Sequence, residues 1–368
     1  MMNRMIIGNL AHRPLRSLIS VVAIALEVTM ILLIVGLSLG MLHDQRTRNA
    51  GIGADVIVLP PGSSFLAGLT GAPMPIKIGD VLAKLPHVQR TAAVVTQISS
   101  VGTLEIIAGI DLPSYESLSA GFRYLEGGPF QGPYDVLVDD LFAKSKHARV
   151  GDTIEILNNR FRISGIVERG KGARKFVPIT TLQDLIGAKD KATIFYLKLD
   201  SPANAETVVD EIKHVPGMER YVVNSMASYL AAMSTGNIPM LSTFIDVVVG
   251  ISVVIGFIVI FQAMYTAVME RTREIGILKS MGASRLYIVN VVLRETVLLA
   301  LGGIVLGIAV SLAARMALAQ KFPLLQVVVD GGWMVRATLI AIAGAIAGAL
   351  YPAFKAAQKD PIDALAYE

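Results

Sequence analysis

Two short runs look suited to nucleotide chemistry. "GIVERGKG" (165–172) falls one residue short of the glycine-rich loop whose amides and lysine cradle phosphates. "VLVDD" (136–140) ends an apolar strand in carboxylates, as a magnesium-binding strand does. The match fails at the chemistry. Position 172 is glycine where a Ser or Thr hydroxyl must reach the metal, and "ARKFVPIT" after it reads as extended chain. A phosphate site needs a helix N-terminus there instead. The acidic strand also precedes the glycine run, the reverse of the usual order. The two runs are expected to be a turn beside solvated strands, with Asp139–Asp140 a helix cap rather than an acid–base pair.

Other reactive residues are too dispersed to cooperate. His12, His43, His87, His147 and His214 form no i,i+4 pair and no HExxH, so no metal site is expected. With no cysteine, disulfides, thiolate metal sites and cysteine nucleophiles are excluded, and no G-x-S-x-G serine motif occurs. The chain is expected to be non-catalytic, with no cofactor of its own and no nucleic-acid partner.

The composition explains why. Apolar residues make up 53% of the 368 and charged residues only 17%, against about 25% in an average soluble domain. About 20 apolar helical residues cross a bilayer, and four segments qualify: 17–42, 241–269, 286–318 and 335–354. The first follows Arg4, Arg13 and Arg16, but its apolar run far exceeds the about 7–15 residues of a cleaved signal, so it reads as an uncleaved signal-anchor.

Lysine and arginine set the expected orientation. Residues 1–16, the loop 270–285 (Arg271, Arg273, Lys279, Arg285) and the tail 355–368 (Lys355, Lys359) are basic. The loop 319–334 holds only Lys321. Both termini and the 270–285 loop are therefore expected in the cytoplasm, with 43–240 outside as the bulk of the extramembrane mass. Within the spans, GxxxG spacings at Gly36/Gly40, Gly303/Gly307 and Gly344/Gly348 permit close helix approach. Glu27 falls near mid-bilayer and is the intramembrane polar candidate, either on a substrate or proton path or locking helix contacts. Arg294 and Glu295 are expected to snorkel to the interface.

The fold class is thus four transmembrane α-helices plus an α+β extracytoplasmic domain inserted between spans one and two. Strand-like runs include 55–59, 92–98, 103–110, 135–138, 153–157, 160–168 and 193–199, with helical patterns at 180–187 and 204–215. The Pro/Gly-rich stretch 59–75 reads as an exposed loop, and 111–190 as an inserted subdomain.

One stretch breaks the apolar pattern. "ERTREIGILKSMGASR" (270–285) packs charges between two membrane-grade segments. Ile275, Leu278 and Met281 predict a helix with one apolar stripe; Arg271–Glu274 and Glu270–Arg273 predict i,i+3 ion pairs. Gly282 predicts its stop and Ser284 the cap of the next span. Its plain explanation is an interfacial helix obeying the positive-inside rule; its functional one is a knob that transfers force from a cytosolic partner into spans two and three.

At this point the chain resembles a known family. "RTREIGILKSMGAS" (271–284) looks like the signature of MacB/FtsX-type ABC transporter permeases. "NLAHRPLRSLISVVAIAL" (9–26) is similar to that family's entry into its first span, and "YPAFKAAQKDPIDALAYE" (351–368) to its tail. "GADVIVLP" (53–60), "IAGID" (107–111), "VGDTIEI" (150–156) and "RFRISGIVE" (160–168) are similar to its extracytoplasmic domain.

The resemblance implies a bacterial inner-membrane permease that pairs with a second copy, sits in lipid, and works with two cytosolic ATPase subunits that bind the ATP and magnesium. A periplasmic adaptor protein is an optional further partner. By position it implies an ATPase-coupling set of Arg271, Arg273, Glu274, Ile275, Gly276, Leu278, Lys279, Gly282 and Ala283. In that set, Ile275 and Leu278 enter a groove of the ATPase. The implied function is ATP-driven extrusion of a lipophilic or amphipathic substrate such as a drug, lipid, lipopeptide or haem. The alternatives are an FtsX-like mechanotransmitter that activates cell-wall hydrolases and a subunit of a sensor or detoxification complex. For haem, His43 and Met41 are the axial-ligand candidates, with ordinary interfacial residues as the plain alternative.

Overall fold

The computed structural model describes residues 14–63, 72–99 and 105–358. The expectations for the N-terminal segment up to residue 13, for the middle of the 59–75 loop, for residues 103–104 of one strand and for the tail beyond 358 lie outside them. The described residues begin with α1 (Pro14–Ala50). There follow β1 (Val56–Leu59), β2 (Met74–Pro75), α2 (Ile78–Leu82), β3 (Val88–Ser99), β4 (Glu105–Ile110), α3 (Leu112–Glu116), β5 (Tyr124–Gly127) and β6 (Asp135–Asp139). Next come α4 (Asp140–Lys146), β7 (Thr153–Ile156), β8 (Asn159–Val167), β9 (Lys175–Pro178), α5 (Ile179–Leu185), β10 (Lys191–Ala192), β11 (Ile194–Leu199), α6 (Ala205–His214), β12 (Val222–Ser225) and α7 (Met226–Ala232). Four helices close the described chain: α8 (Pro239–Glu270), α9 (Thr272–Ser280), α10 (Arg285–Lys321) and α11 (Gly331–Gln358).

The chain divides into two compact units, one of them Met41–Ile238 with Phe322–Leu324. Its centre is a sheet in the order β12-β1-β11-β3-β4-β9-β6-β8-β5, with β7 paired to β8. Pairings are antiparallel except β4–β9 and β6–β8. Segment 111–190, expected as an inserted subdomain, supplies β5–β9 and extends this same sheet through the β4–β9 pair. Both faces of the sheet are covered, and β1 shows it: Val56 and Val58 join the cluster under α6, while Ile57 and Leu59 join one built on Tyr115, Phe122 and Phe176. The period-two alternation of a strand puts successive side chains into different cores. α6 answers with Ala205, Val208, Val209 and Ile212, an i, i+3, i+4, i+7 stripe.

The "VLVDD" run is β6 followed by α4, and Asp139 caps that helix, its Oδ1 accepting from the Phe142 amide at 2.6 Å. The "GIVERGKG" run leads into strand β9 rather than into a helix whose N-terminus could face a phosphate. Gly170 and Gly172 adopt positive φ there, which explains the glycines without a phosphate.

Among its described residues the other unit contains four helices long and apolar enough to cross a membrane. Glycine makes their contacts possible. A Cβ on Gly303 would lie 2.6 Å from Ile24 Cβ and one on Gly307 2.8 Å from the Ala25 carbonyl, so α10 presses its backbone onto α1. Thr29 Oγ1 donates across this contact to the Gly307 carbonyl at 3.1 Å. Gly348 does the same for α11 against α8, where a Cβ would meet the Phe257 carbonyl at 2.8 Å. Gly40 leaves room for the extended 326–328 segment, and the Val328 amide donates to the Gly36 carbonyl. The Gly36/Gly40 and Gly303/Gly307 spacings are therefore contact surfaces, whereas of Gly344/Gly348 only Gly348 is, a Cβ on Gly344 meeting nothing closer than 4.0 Å.

Two outcomes follow. Gly303→Leu is expected to unseat α1 and lower the thermal midpoint in detergent, since overpacking a tight contact costs about 1–3 kcal/mol. Gly302→Leu, where an added Cβ meets nothing closer than Val21 Cγ2 at 3.6 Å, leaves the midpoint in place. For Asp139, burial pushes the carboxyl up to about 6. Its folded form binds a proton more tightly than the unfolded chain, whose aspartates titrate near about 3.9. The stabilisation from that proton is complete below the unfolded value and lost as pH rises through the folded one. Asp139→Asn keeps a good cap, and in a melt series it is expected to flatten the stability change between those two pH values.

Candidate coupling site

The membrane unit turns a sharp corner between α8 and α10, and α9 is that corner. α8 stops at Glu270, and Arg271 leaves helical geometry at φ −105°, ψ 19°. Thr272 Oγ1 donates back to the Met269 carbonyl at 2.8 Å and closes the break. The other end of α9 is a Schellman stop: the Ala283 amide donates to Leu278 O at 3.0 Å and the Gly282 amide to Lys279 O at 3.0 Å. Gly282 carries φ +93°, as that motif requires. Ser284 Oγ then accepts from the Tyr287 amide at 3.2 Å and starts α10.

Buried charge holds the corner. Arg271 Nη1 donates to both oxygens of Glu295, at 3.0 and 3.2 Å, and both side chains are nearly enclosed. This pair corrects two expectations. Arg271 was expected to pair with Glu274 along one helix, but the helix breaks at Arg271, and its side chain turns to α10. Glu295 was expected to snorkel beside Arg294; only Arg294 is exposed, its Nε donating to Asn290 Oδ1 at 3.1 Å. The signal was present in the sequence: Ile288, Val291, Glu295 and Leu299 share one buried helical face, so Glu295 interrupts an apolar stripe and demands a cation.

α9 also leans on α11. Lys279 Nζ donates to the Ala357 carbonyl at 3.0 Å, satisfying a carbonyl in the last turn of that helix. Ile275 is buried in a cluster with Val268, Ile288, Val289, Ala353, Ala356 and Ala357, and Leu278 and Ala283 pack against it. Gly276 is buried as well. Met281, expected on the same stripe, is 71% exposed instead. The exposed residues of α9 and its stop are Arg273, Glu274, Ile277, Ser280, Met281 and Gly282, of which Glu274 and Ile277 also border the cleft beside α8 and α10. Between α8, α9 and α10 lies a cleft of ≈ 290 Å³, apolar except where Arg271, Glu274 and Glu295 meet it.

The structure thus brings the expected coupling residues into one element but splits them. Ile275, Gly276, Leu278 and Ala283 seat the helix, Arg271 and Lys279 anchor it, and Arg273, Glu274 and Gly282 face outward. Ile277 is the outward apolar residue that period-three counting missed.

Glu27 lies elsewhere, on α1. Its carboxylate occupies the space beside Gly256, where a Cβ would sit 2.0 Å from Oε2, and Oε1 has no hydrogen-bond partner among the described residues. Met41 and His43 are both exposed but stand two residues apart on a helix, so they point to nearly opposite sides and cannot share a ligand. No cluster of metal-ligating side chains occurs among the described residues.

Among the described residues, four apolar helices, a mixed sheet domain between the first two and a buried-charge corner between the second and third define a protein of the multi-pass membrane class. Residues 17–215 match the family described as MacB-like periplasmic core domain, and residues 247–361 the FtsX-like permease C-terminal family. The chain belongs to this family, the MacB/FtsX-type ABC transporter permeases.

Among its relatives, the macrolide export ATP-binding/permease protein MacB of Shewanella sp. is 26% identical over 97% of this chain and 59% of its own length. The ABC transporter permease YknZ of Bacillus subtilis is 32% identical over 63% of this chain and 60% of its own. The chain therefore spans less than two thirds of the curated relatives it matches. Among solved structures, the periplasmic region of MacB from Actinobacillus actinomycetemcomitans aligns with TM-score 0.39 at 16% identity, covering 50% of this chain and 94% of that one. The extracellular domain of YknZ aligns with TM-score 0.36 at 14% identity, covering 46% and 99%.

Removing one partner of the buried pair strands the other. Glu295→Gln and Arg271→Met are each expected to cost about 3 kcal/mol. The double change is expected to cost less than the sum of the two, the mark of direct coupling. Thermal melts of the four proteins in one detergent check this.

Proposed function

We propose that the chain is the permease subunit of an ATP-driven exporter in which α9 docks a separate cytosolic ATPase subunit. Two copies of the permease and two of the ATPase make the working unit. α9, the amino terminus and the tail face the cytoplasm, as their lysines and arginines favour. The observation that carries the reading is the outward face of α9. It presents Ile277 and Met281 one turn apart, flanked by Arg273 and Glu274, on a helix anchored to α10 and α11. An apolar pair with a charged rim is the pattern of a helix laid into a groove. Because Ile275 and Leu278 are engaged inside the permease, they hold the knob in place, and the ATPase reads Ile277 and Met281.

ATP binding then acts by moving the docked helix, and a push on it reaches α10 through the Arg271–Glu295 pair and α11 through Lys279. The cargo is lipophilic or amphipathic, in keeping with the macrolide export in the Shewanella relative's name and with spans that carry almost no polar lining.

Ile277→Asp with Met281→Asp is expected to leave the permease folded in the membrane and to abolish co-purification of the ATPase. Ile275→Asp is expected instead to lower the permease's own melting temperature. A pull-down on the tagged chain, with melts of the same samples, separates the two. Retention of the ATPase by the double variant would contradict the docking face.

A further inference from the structure

The glycine–lysine run between β8 and β9 binds no phosphate, yet it is held by more bonds than a turn needs. Several of them run to one place, the last two turns of α1. Arg174 Nη2 donates to Asp44 at 2.8 Å, and Arg48 Nη1 donates to the same Asp44 oxygen. On its other side Arg174 lies 3.8 Å from Asp139, which is almost fully buried. The backbones meet as well: the Gly172 amide donates to the Arg48 carbonyl at 3.0 Å, and a Cβ on Gly51 would lie only 1.9 Å from the Gly170 carbonyl. The turn is braced from behind, with Tyr115 Oη donating to the Lys171 carbonyl at 2.7 Å.

We propose that Asp44, Arg48 and Arg174 are positioning residues of a permanent joint. It makes the end of α1 and the β8–β9 turn one rigid piece, so that displacement of α1 is delivered to the sheet undiminished. The proposal rests on the transporter reading above and adds where the force enters the outer domain. Three observations support permanence over a joint that opens. Opening would take the Arg174 guanidinium from Asp44 where both are largely enclosed, leaving Asp44 only its own-helix partner Arg48, and parting buried charges is costly. The backbone contact is glycine against glycine, closer than any side chain allows, which suits a fixed seat better than a sliding one. The bonds mix ion pairs with a backbone hydrogen bond, so no single protonation event releases them.

Hydrogen exchange on the purified full chain tests the joint without relying on transport. Arg174→Gln is expected to speed exchange at residues 44–52 and at Gly172 by about tenfold or more, with β3 and β4 unchanged, because a local opening is uncoupled from the global one. Arg174→Lys, which keeps a cation for Asp44, is expected to restore most of the protection. Gly51→Val, which pries the backbones apart by size alone, is expected to match Arg174→Gln. Unchanged exchange in both disruptive variants, or equal acceleration through the whole sheet, would overturn the proposal.

The same amides are then followed in the complex with its co-purifying ATPase, with and without ATP and vanadate. Protection at Gly172 that persists in both states is expected, and its loss in either would show a joint that opens and would also overturn it. Failure of the transporter reading looks different. The outer domain would then show no nucleotide-dependent change at any amide, while the exchange of the free chain still decides the joint.

Discussion

A guanidinium closed between helices and neutralised by one carboxylate constrains the corner of the membrane half of this protein. Arg271 sits at the one residue where α8 has stopped and α9 has not begun, and Glu295 of α10 neutralises it. Neither group tolerates enclosure without the other. The pair therefore fixes how sharply the chain turns, and the rest of the corner follows: Thr272 ties the break, Gly282 ends the short helix, Ser284 begins the next. A helix of nine residues has little stability alone. Here it is a rigid part of its neighbours, bonded to α10 by a charge pair and to α11 by Lys279.

Glycine plays the complementary role in both units. In the membrane, where lipid is as apolar as any side chain, helices gain from close backbone approach rather than from burying apolar surface. Gly303, Gly307 and Gly348 supply it. In the sheet domain Gly51 and Gly172 let a helix end and a turn come within backbone distance, and Gly170 supplies the positive φ the turn needs. The run that mimics a nucleotide loop is glycine-rich for this reason, which is why its resemblance to a phosphate cradle ends at the lysine.

The parts of the fold legible in the sequence were those governed by local pattern. The strands with alternating apolar residues, the amphipathic α6, the Asp139 cap and the Gly282 stop each depend on residues within a turn or two of one another. What sequence pattern missed depended on partners far along the chain. Glu295 and Arg271 are 24 residues apart, and only folding showed that they meet. Counting every third residue placed Met281 beside Ile275, whereas the true period of 3.6 carries Met281 round to join Ile277. The family signature marked this helix but not which of its residues are exposed, because seated and exposed residues alternate within one short motif. The 111–190 insertion was visible as chain order, but its continuation of the same sheet rests on the parallel β4–β9 pair, which no local pattern announces.

The central claim is that the outward face of α9, carrying Ile277 and Met281, meets a cytosolic ATPase. Placing a photo-reactive side chain at each of positions 275, 277 and 281 of the full-length protein in intact cells tests it most directly. Adducts with the ATPase from 277 and 281, and none from 275, are the predicted result. An adduct from 275 alone, or reaction of position 281 with a membrane-impermeant reagent added outside the cell, would contradict the account.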